Sequence, residues 1–280
     1  MLQPVTQDLQ FAVGVIGVGN MGAALVRGII DKKTEPANSI VVCDLDQILV
    51  DRLRDDLGVV DGESAIHVAA SADLVVLAAK PQNLPKLLDE ISTSVNADQT
   101  IMSIAAGVTT KSIEERLGSK SSVIRVMPNL PALVGEAVSV FCAGSHTSDL
   151  DFERVEAVLR AVGLCFEVNE ELMDPVTALS GTGPAYVFHT MEAMIRSGIE
   201  MGMSSEVAKR LVLQTVFGAA RLAIDSDLDP TALREAVTSR GGTTDAAISH
   251  LEEHDYTHLV VEAILAAMDR SKELGREPSS

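Results

Sequence analysis

The stretch FAVGVIGVGNMGAALVRGII, residues 11–30, starts as a short apolar run, passes through three glycines and goes on with apolar residues at helical spacing. The run reads as a buried strand, and MGAALVRGII reads as the helix that follows it. Gly17, Gly19 and Gly22 make the pattern G-x-G-x-x-G at the junction. Alone the pattern is weak, but between a strand and a helix it marks a turn that binds a dinucleotide. Each glycine has a separate physical reason. Gly17 permits the tight turn, Gly19 lets the backbone approach a pyrophosphate, and Gly22 lets the helix sit close to the strand. The helix N-terminus then attracts the anion.

Working outward, the same alternation repeats. SIVVCDLD (39–46) reads as a strand, and Asp46 caps a helix QILVDRLRDDLG that Gly58 closes. DLVVLAAKP (73–81), QTIMSIAAGV (99–108) and SSVIRVMPN (121–129) are further strands, with TTKSIEERLG as a helix between the last two. AVSVFC (137–142) and LCFEV (164–168) flank the helix DLDFERVEAVLRAVG. Continuous apolar strands joined by helices predict a parallel sheet covered on both faces, the Rossmann type of α/β domain. Beyond about residue 172 the strand signals stop, and five segments carry helical periodicity. At roughly 150 residues per domain, 280 residues make about two domains. The expected division is 1–172, a Rossmann dinucleotide-binding domain, and 173–280, an all-α domain for dimerisation and substrate binding. Several of these helices are apolar around much of their circumference and must be covered on more than one face, which predicts a homodimer through this half.

Asp44 closes the second strand, 22 residues beyond Gly22. An acid there accepts hydrogen bonds from the adenosine ribose hydroxyls of NAD and repels a 2′-phosphate. Leu45 and Asp46 add no cation, so the residues tilt toward NADH; Arg52 and Arg54 on the next helix keep NADPH open. Ligands of such sheets sit outside the carboxyl ends of the strands. Ala78, Ala79, Lys80, Pro81 and Ala105, Ala106, Gly107 fall there. Small residues admit a flat nicotinamide–ribose to the backbone, and Lys80 brings a positive charge.

Composition narrows the partners. Lys plus Arg number 22 against 40 Asp plus Glu, a net charge of −18, so a phosphate polymer is repelled. With no Trp and two Tyr, platforms for stacking bases are scarce as well. Cys43, Cys142 and Cys165 stand far apart, in the manner of a reducing compartment rather than a zinc ribbon or disulfide scaffold. The N-terminus lacks the positive start of a signal peptide, and no apolar run reaches the 18 or so residues that span a bilayer. The expected setting is the cytoplasm, with neither membrane nor nucleic acid as partner.

In the helical half, Ser239-Arg240-Gly241-Gly242-Thr243-Thr244 separates two helices. Two glycines ahead of two hydroxyl residues at a helix start form a concave set of amides suited to a carboxylate. A plain capped turn gives the same pattern.

GVGNMGAAL (17–25), MPNLPALV (127–134), LSGTGPAYVF (179–188) and VTSRGGTT (237–244), in this order, resemble the pyrroline-5-carboxylate reductases. The resemblance runs from Val13 to the last helix, and its SGxGPAY and TSxGGTT strings are far more specific than the glycine turn. It implies a Rossmann domain followed by a helical domain that interlocks two subunits, often assembled into decamers. It implies reduction of 1-pyrroline-5-carboxylate to L-proline with NAD(P)H, the last step of proline synthesis. Ile16, Gly17, Val18, Gly19, Asn20 and Met21 would hold the pyrophosphate; 78–81 and 105–107 would line the nicotinamide ribose. Ser239, Gly241, Gly242 and Thr243 would bind the substrate carboxylate, and the Thr244 hydroxyl would hydrogen-bond the ring nitrogen. Arg240, Thr182, Leu130 and Ala236 depart from residues usual in the family.

Two other readings share the glycine turn. A 2-hydroxyacid-type dehydrogenase places a lysine on the helix after the junction, where Ser180-Gly181-Thr182-Gly183-Pro184-Ala185 has none nearby. A non-catalytic dinucleotide-binding regulator has no need of TSRGGTT. His250-Leu251-Glu252-Glu253-His254 matches an inverted zinc-protease pattern but sits at the polar end of a helix without a compelling third ligand, so no metal is expected. His189 reads as a packed helix histidine, and Glu170 and Glu171 as a solvated helix start.

Overall fold

The computed structural model describes residues 10–118 and 121–276. Its eight strands are β1 (Phe11–Ile16), β2 (Ile40–Cys43), β3 (Val60–Asp61), β4 (Ala72–Leu77), β5 (Thr100–Ser103), β6 (Ser122–Met127), β7 (Ala137–Ala143) and β8 (Gly163–Glu167). They form one sheet in the order β3-β2-β1-β4-β5-β6-β7-β8. The helices that join them are α1 (Asn20–Asp31), α2 (Gln47–Leu57), α3 (Ala65–Ser71), α4 (Leu84–Ile91), α5 (Thr110–Leu117) and α6 (Asp149–Arg160).

The strand order reverses between β1 and β4, and ligands of open α/β sheets bind at such a switch point. The expected all-parallel sheet needs one correction: β7 runs antiparallel to β6. Only residues 128–136 lie between these strands, and a parallel crossover needs about a dozen or more. The short 3-10 turn Leu130–Val134 fills that link.

Two apolar layers cover the sheet. One holds Val15, Leu25, Ile29, Val50, Val76, Phe141, Val155 and Leu159; the other holds Ile16, Val41, Val75, Leu84, Leu88, Ile101 and Ile113. A fully buried Leu, Ile or Val side chain stabilises by about 1.5–3 kcal/mol, so the strands are long apolar runs because both faces are dry. The helix boundaries follow local chemistry. Asp46 accepts from the Ile48 amide at the start of α2, and Gly58 closes that helix at φ 78. Thr109 accepts from the Ser112 amide ahead of α5, and Ser148 with Asp151 forms a capping box on α6.

After β8 come α7 (Met173–Val176), a π-turn (Thr177–Gly181), α8 (Gly183–Glu200), α9 (Ser205–Asp225), α10 (Pro230–Ala236), α11 (Thr243–Glu253) and α12 (Tyr256–Arg276). By packing, the first compact unit continues through Thr182 and takes back the end of α12 from Ala267; the second is Gly183–Ala266. Within the second unit α8 and α9 pack closely because Gly198 has no side chain: a Cβ there would lie 2.9 Å from the Ala208 Cβ. Little else in it is buried. Phe188, Leu213, Phe217, Leu222, Ile224 and Leu259 are all exposed in the single chain. No helix among the described residues is long and apolar enough to cross a membrane.

Candidate active site

The register of the sheet brings the first group of expected residues to one edge. Cys43, Ile16, Leu77 and Ser103 are successive partners across β2, β1, β4 and β5. Each is the last residue of its strand, so Asp44, Gly17, Ala78 and the loop holding Ala105, Ala106 and Gly107 leave the sheet side by side. The ladder continues one bond further: the Gly17 amide donates to the Cys43 carbonyl, and the Ala78 amide to the Ile16 carbonyl.

The glycine turn has the geometry its sequence demands. Gly17 takes φ +99, and a Cβ on it would stand 2.8 Å from the Ala78 carbonyl oxygen. A Cβ on Gly22 would collide with the Gly17 carbonyl. Gly19 differs, because nothing lies within 4 Å of a Cβ placed there. Gly19 is also the N-cap of α1, and no side chain caps that helix. An open, uncapped start of a twelve-residue helix, faced by glycine backbone, fits a pyrophosphate. Asn20 is exposed, Met21 half-buried and Val18 buried along this turn.

Asp44 is tied to the turn directly. Its Oδ2 accepts from the Val18 amide at 2.7 Å, and its Oδ1 accepts from the Asp46 amide at 2.9 Å. Beside it, burial and then the Asp44 charge push the Cys43 thiol up to about 12, so it stays protonated and inert at neutral pH. On the next strands Ala78, Ala79 and Ala106 are half-buried and Ala105 and Gly107 buried, while Lys80 and Pro81 are exposed at the start of a short 3-10 turn. Among the described residues no carboxylate pairs with Lys80. These small residues leave room for a flat ring against the strand ends, so the edge as a whole fits the dinucleotide.

The second group lies together in the turn before α11. Gly241 takes φ +72 and donates to the Asp245 carboxylate at 2.7 Å; the Gly242 amide donates to the Ser239 carbonyl at 2.9 Å. Gly242 is the N-cap of α11, which no side chain caps. The first-turn amides after it thus lack intrahelical partners. Ser239, Arg240 and Thr243 are exposed and Thr244 half-buried. The Gly241 amide, expected to meet a ligand, is held by Asp245 in this structure.

Two minor expectations fail. Glu170 is no solvated helix start: it accepts from the Thr110 amide and hydroxyl and lies 3.3 Å from Arg125. His189 is exposed beside Glu192 in the single chain rather than packed. Sequence reading passed over Arg125, although a lone cation inside the apolar strand SSVIRVM signals a buried charge in need of partners. It also passed over Asn129, whose side chain accepts from the Val138 amide and donates to the Ser180 carbonyl.

A switch-point edge with an uncapped glycine turn, an acid at the end of β2 and a separate helical unit define a dinucleotide-dependent oxidoreductase. A family model described as pyrroline-5-carboxylate reductase dimerisation matches residues 170–274, and one described as NADP oxidoreductase coenzyme F420-dependent matches residues 12–107. A pyrroline-5-carboxylate reductase of Methanosarcina acetivorans is 37% identical over 95% of this chain and 98% of its own length. The solved structure of one from Coxiella burnetii is 36% identical, with a TM-score of 0.88 over 96% of this chain and 100% of that one. A pyrroline carboxylate reductase of Plasmodium falciparum, solved with NADP bound, is 30% identical, with a TM-score of 0.87 over the same shares. The chain belongs to the pyrroline-5-carboxylate reductase family, and its activity is that family's NAD(P)H-dependent reduction. Its helical half is the family's dimerisation domain.

Proposed function

We propose that this chain reduces 1-pyrroline-5-carboxylate to L-proline as a cytoplasmic homodimer and favours NADH. The single observation that supports the cofactor reading best is the Asp44 carboxylate, joined to the glycine turn through the Val18 amide. A 2′-phosphate brought to that carboxylate is repelled, whereas ribose hydroxyls donate to it. When bound, the reduced nicotinamide supplies the hydride that the C=N carbon of the substrate accepts. The chain's own residues bind and orient. Residues 16–21 hold the pyrophosphate, with Gly22 keeping α1 close. Ala78, Ala79, Lys80 and Pro81, with Ala105, Ala106 and Gly107, line the nicotinamide ribose. Ser239, Gly241, Gly242 and Thr243 grip the substrate carboxylate, which requires Asp245 to release the Gly241 amide. Thr244 is the catalytic residue: its neutral hydroxyl hydrogen-bonds the ring nitrogen, orients it and relays its proton. The work of such a site is positioning.

Dimerisation through α8–α12 covers the apolar side chains that the single chain leaves exposed. A decamer of such dimers is the larger assembly that the family resemblance implies.

The test is a paired assay of NADH and NADPH oxidation with 1-pyrroline-5-carboxylate, a 2-oxoacid (the oxidised partner of a 2-hydroxyacid) and no substrate, on wild type and Asp44→Ala. Wild type should favour NADH with the imine alone, and Asp44→Ala should narrow the gap between the cofactors. A wild type that strongly prefers NADPH ends the reading of Asp44; reduction of the 2-oxoacid instead of the imine ends the reading of the substrate.

A further inference from the structure

The carboxyl end of β5 passes through Ala105, Ala106 and Gly107 into α5, and Gly107 takes φ +77. Against it lies the last turn of α12. A Cβ on Gly107 would stand 3.3 Å from the Gly275 amide nitrogen, and a Cβ on Gly275 would stand 2.8 Å from the Gly107 carbonyl oxygen. The two backbones meet directly, which side chains at these positions would prevent.

Polar contacts hold both sides of this meeting point. Four residues before Gly275, the buried Ser271 hydroxyl donates to Asp174 Oδ1 at 2.7 Å. Asp174 lies 3.9 Å from the Arg125 guanidinium, whose side chain is 5% exposed, and Arg125 also lies 3.3 Å from Glu170. Glu170 accepts from the Thr110 amide and hydroxyl, both at 2.8 Å. Thr110 follows Gly107 by three residues, so the chain of contacts closes on itself. It runs from Gly107 through Thr110, Glu170, Arg125, Asp174 and Ser271 to Gly275. Arg125 stands level with Ser103, the end of β5. A guanidinium has enough donors, in a fixed plane, to serve two carboxylates from one position.

We propose that Arg125, Glu170, Asp174 and Ser271 are positioning residues for the dinucleotide, pinning loop 105–107 between the start of α5 and the end of α12. The inference rests on the reading that this loop lines the nicotinamide ribose. The test uses the full-length protein and three variants. Ser271→Ala removes the hydroxyl, Ser271→Thr restores it, and Ala106→Leu challenges the loop itself. Calorimetry gives the NADH and NADPH affinities, steady-state kinetics give KM for each substrate, and hydrogen exchange follows residues 105–109.

Ser271→Ala should weaken dinucleotide binding by about tenfold, the lower end of what the loss of one hydrogen bond to a charged group amounts to. KM for the imine should stay within about twofold, exchange in the loop should quicken, and Ser271→Thr should recover most of the loss. If Ser271→Ala does not fold, Asp174→Asn takes its place with the same expectations. Unchanged affinity and exchange in Ser271→Ala, beside lost binding in Ala106→Leu, overturns the inference and leaves the reading of the loop standing. A lower melting temperature with affinity and exchange unchanged makes the ring a structural tie and also overturns it. Wild-type binding by Ala106→Leu removes the reading of the loop, and the inference with it.

Discussion

A methyl group at Gly19 and one at Gly17 should have opposite consequences. At Gly17 the backbone takes φ +99, and the new Cβ would stand 2.8 Å from the Ala78 carbonyl oxygen. The left-handed conformation costs an ordinary residue about 1–3 kcal/mol. Overpacking against backbone that cannot yield adds about 1–3 kcal/mol. Gly17→Ala should therefore destabilise the first unit by about 2–6 kcal/mol. Gly19 takes φ −62 and ψ −165, with nothing within 4 Å of the added atom. There the smaller entropy of the unfolded chain stabilises by about 0.4–1 kcal/mol. The poorer N-cap costs about the same, so the net change in stability is near zero. What Gly19→Ala should lose is the dinucleotide. A methyl between α1 and the pyrophosphate, at about 1–3 kcal/mol of overpacking, weakens binding by about 5- to 150-fold. Urea unfolding gives the stabilities and titration calorimetry the affinities. The reasoning is refuted if Gly19→Ala binds NADH and NADPH like wild type, or if it loses as much stability as Gly17→Ala.

Thr244→Ala should lower kcat by about 100-fold, the lower end of the range for one positioned proton-transfer group, and leave dinucleotide affinity within about twofold; unchanged kcat removes Thr244 from the reaction. The Cys43 and Cys142 thiols are both pushed up to about 12, chiefly by burial and next by Asp44 and Glu170 respectively. Between about pH 9 and 12 the folded chain therefore holds protons that the unfolded chain has released. Stability falls as pH rises, by about 1.4 kcal/mol per pH unit for each thiol. Urea unfolding across that window should show a shallower fall in a Cys43→Ala, Cys142→Ala double variant, and parallel slopes would contradict the assignment. Phe217 is 66% exposed on α9 of the single chain. Phe217→Glu should shift the dimer toward monomer in sedimentation velocity, since a buried aromatic anchor is worth about 2 kcal/mol or more; an unchanged dimer would move the interface elsewhere.

Local chemistry was legible along the chain. Apolar runs of strand length, the glycine turn, Asp46, Thr109 and Gly58 act over a few residues, and their physics needs no distant partner. The helical half was legible too, because a helix apolar on several faces announces that something must cover it. Long-range decisions were not. Nothing in AVSVFC states that β7 reverses direction, since orientation depends on what a short link can reach. The two residues of β3 are too few to carry a period. Asp44 read as an acid at a strand end; that it holds the Val18 amide depends on β1 and β2 lying in register. Glu170 looked solvated because its partners, Thr110 and Arg125, are 60 and 45 residues away in the chain. Periodicity and caps are written in neighbouring residues, whereas the pairing of a buried charge is set by which segments the folded core brings within a few ångströms.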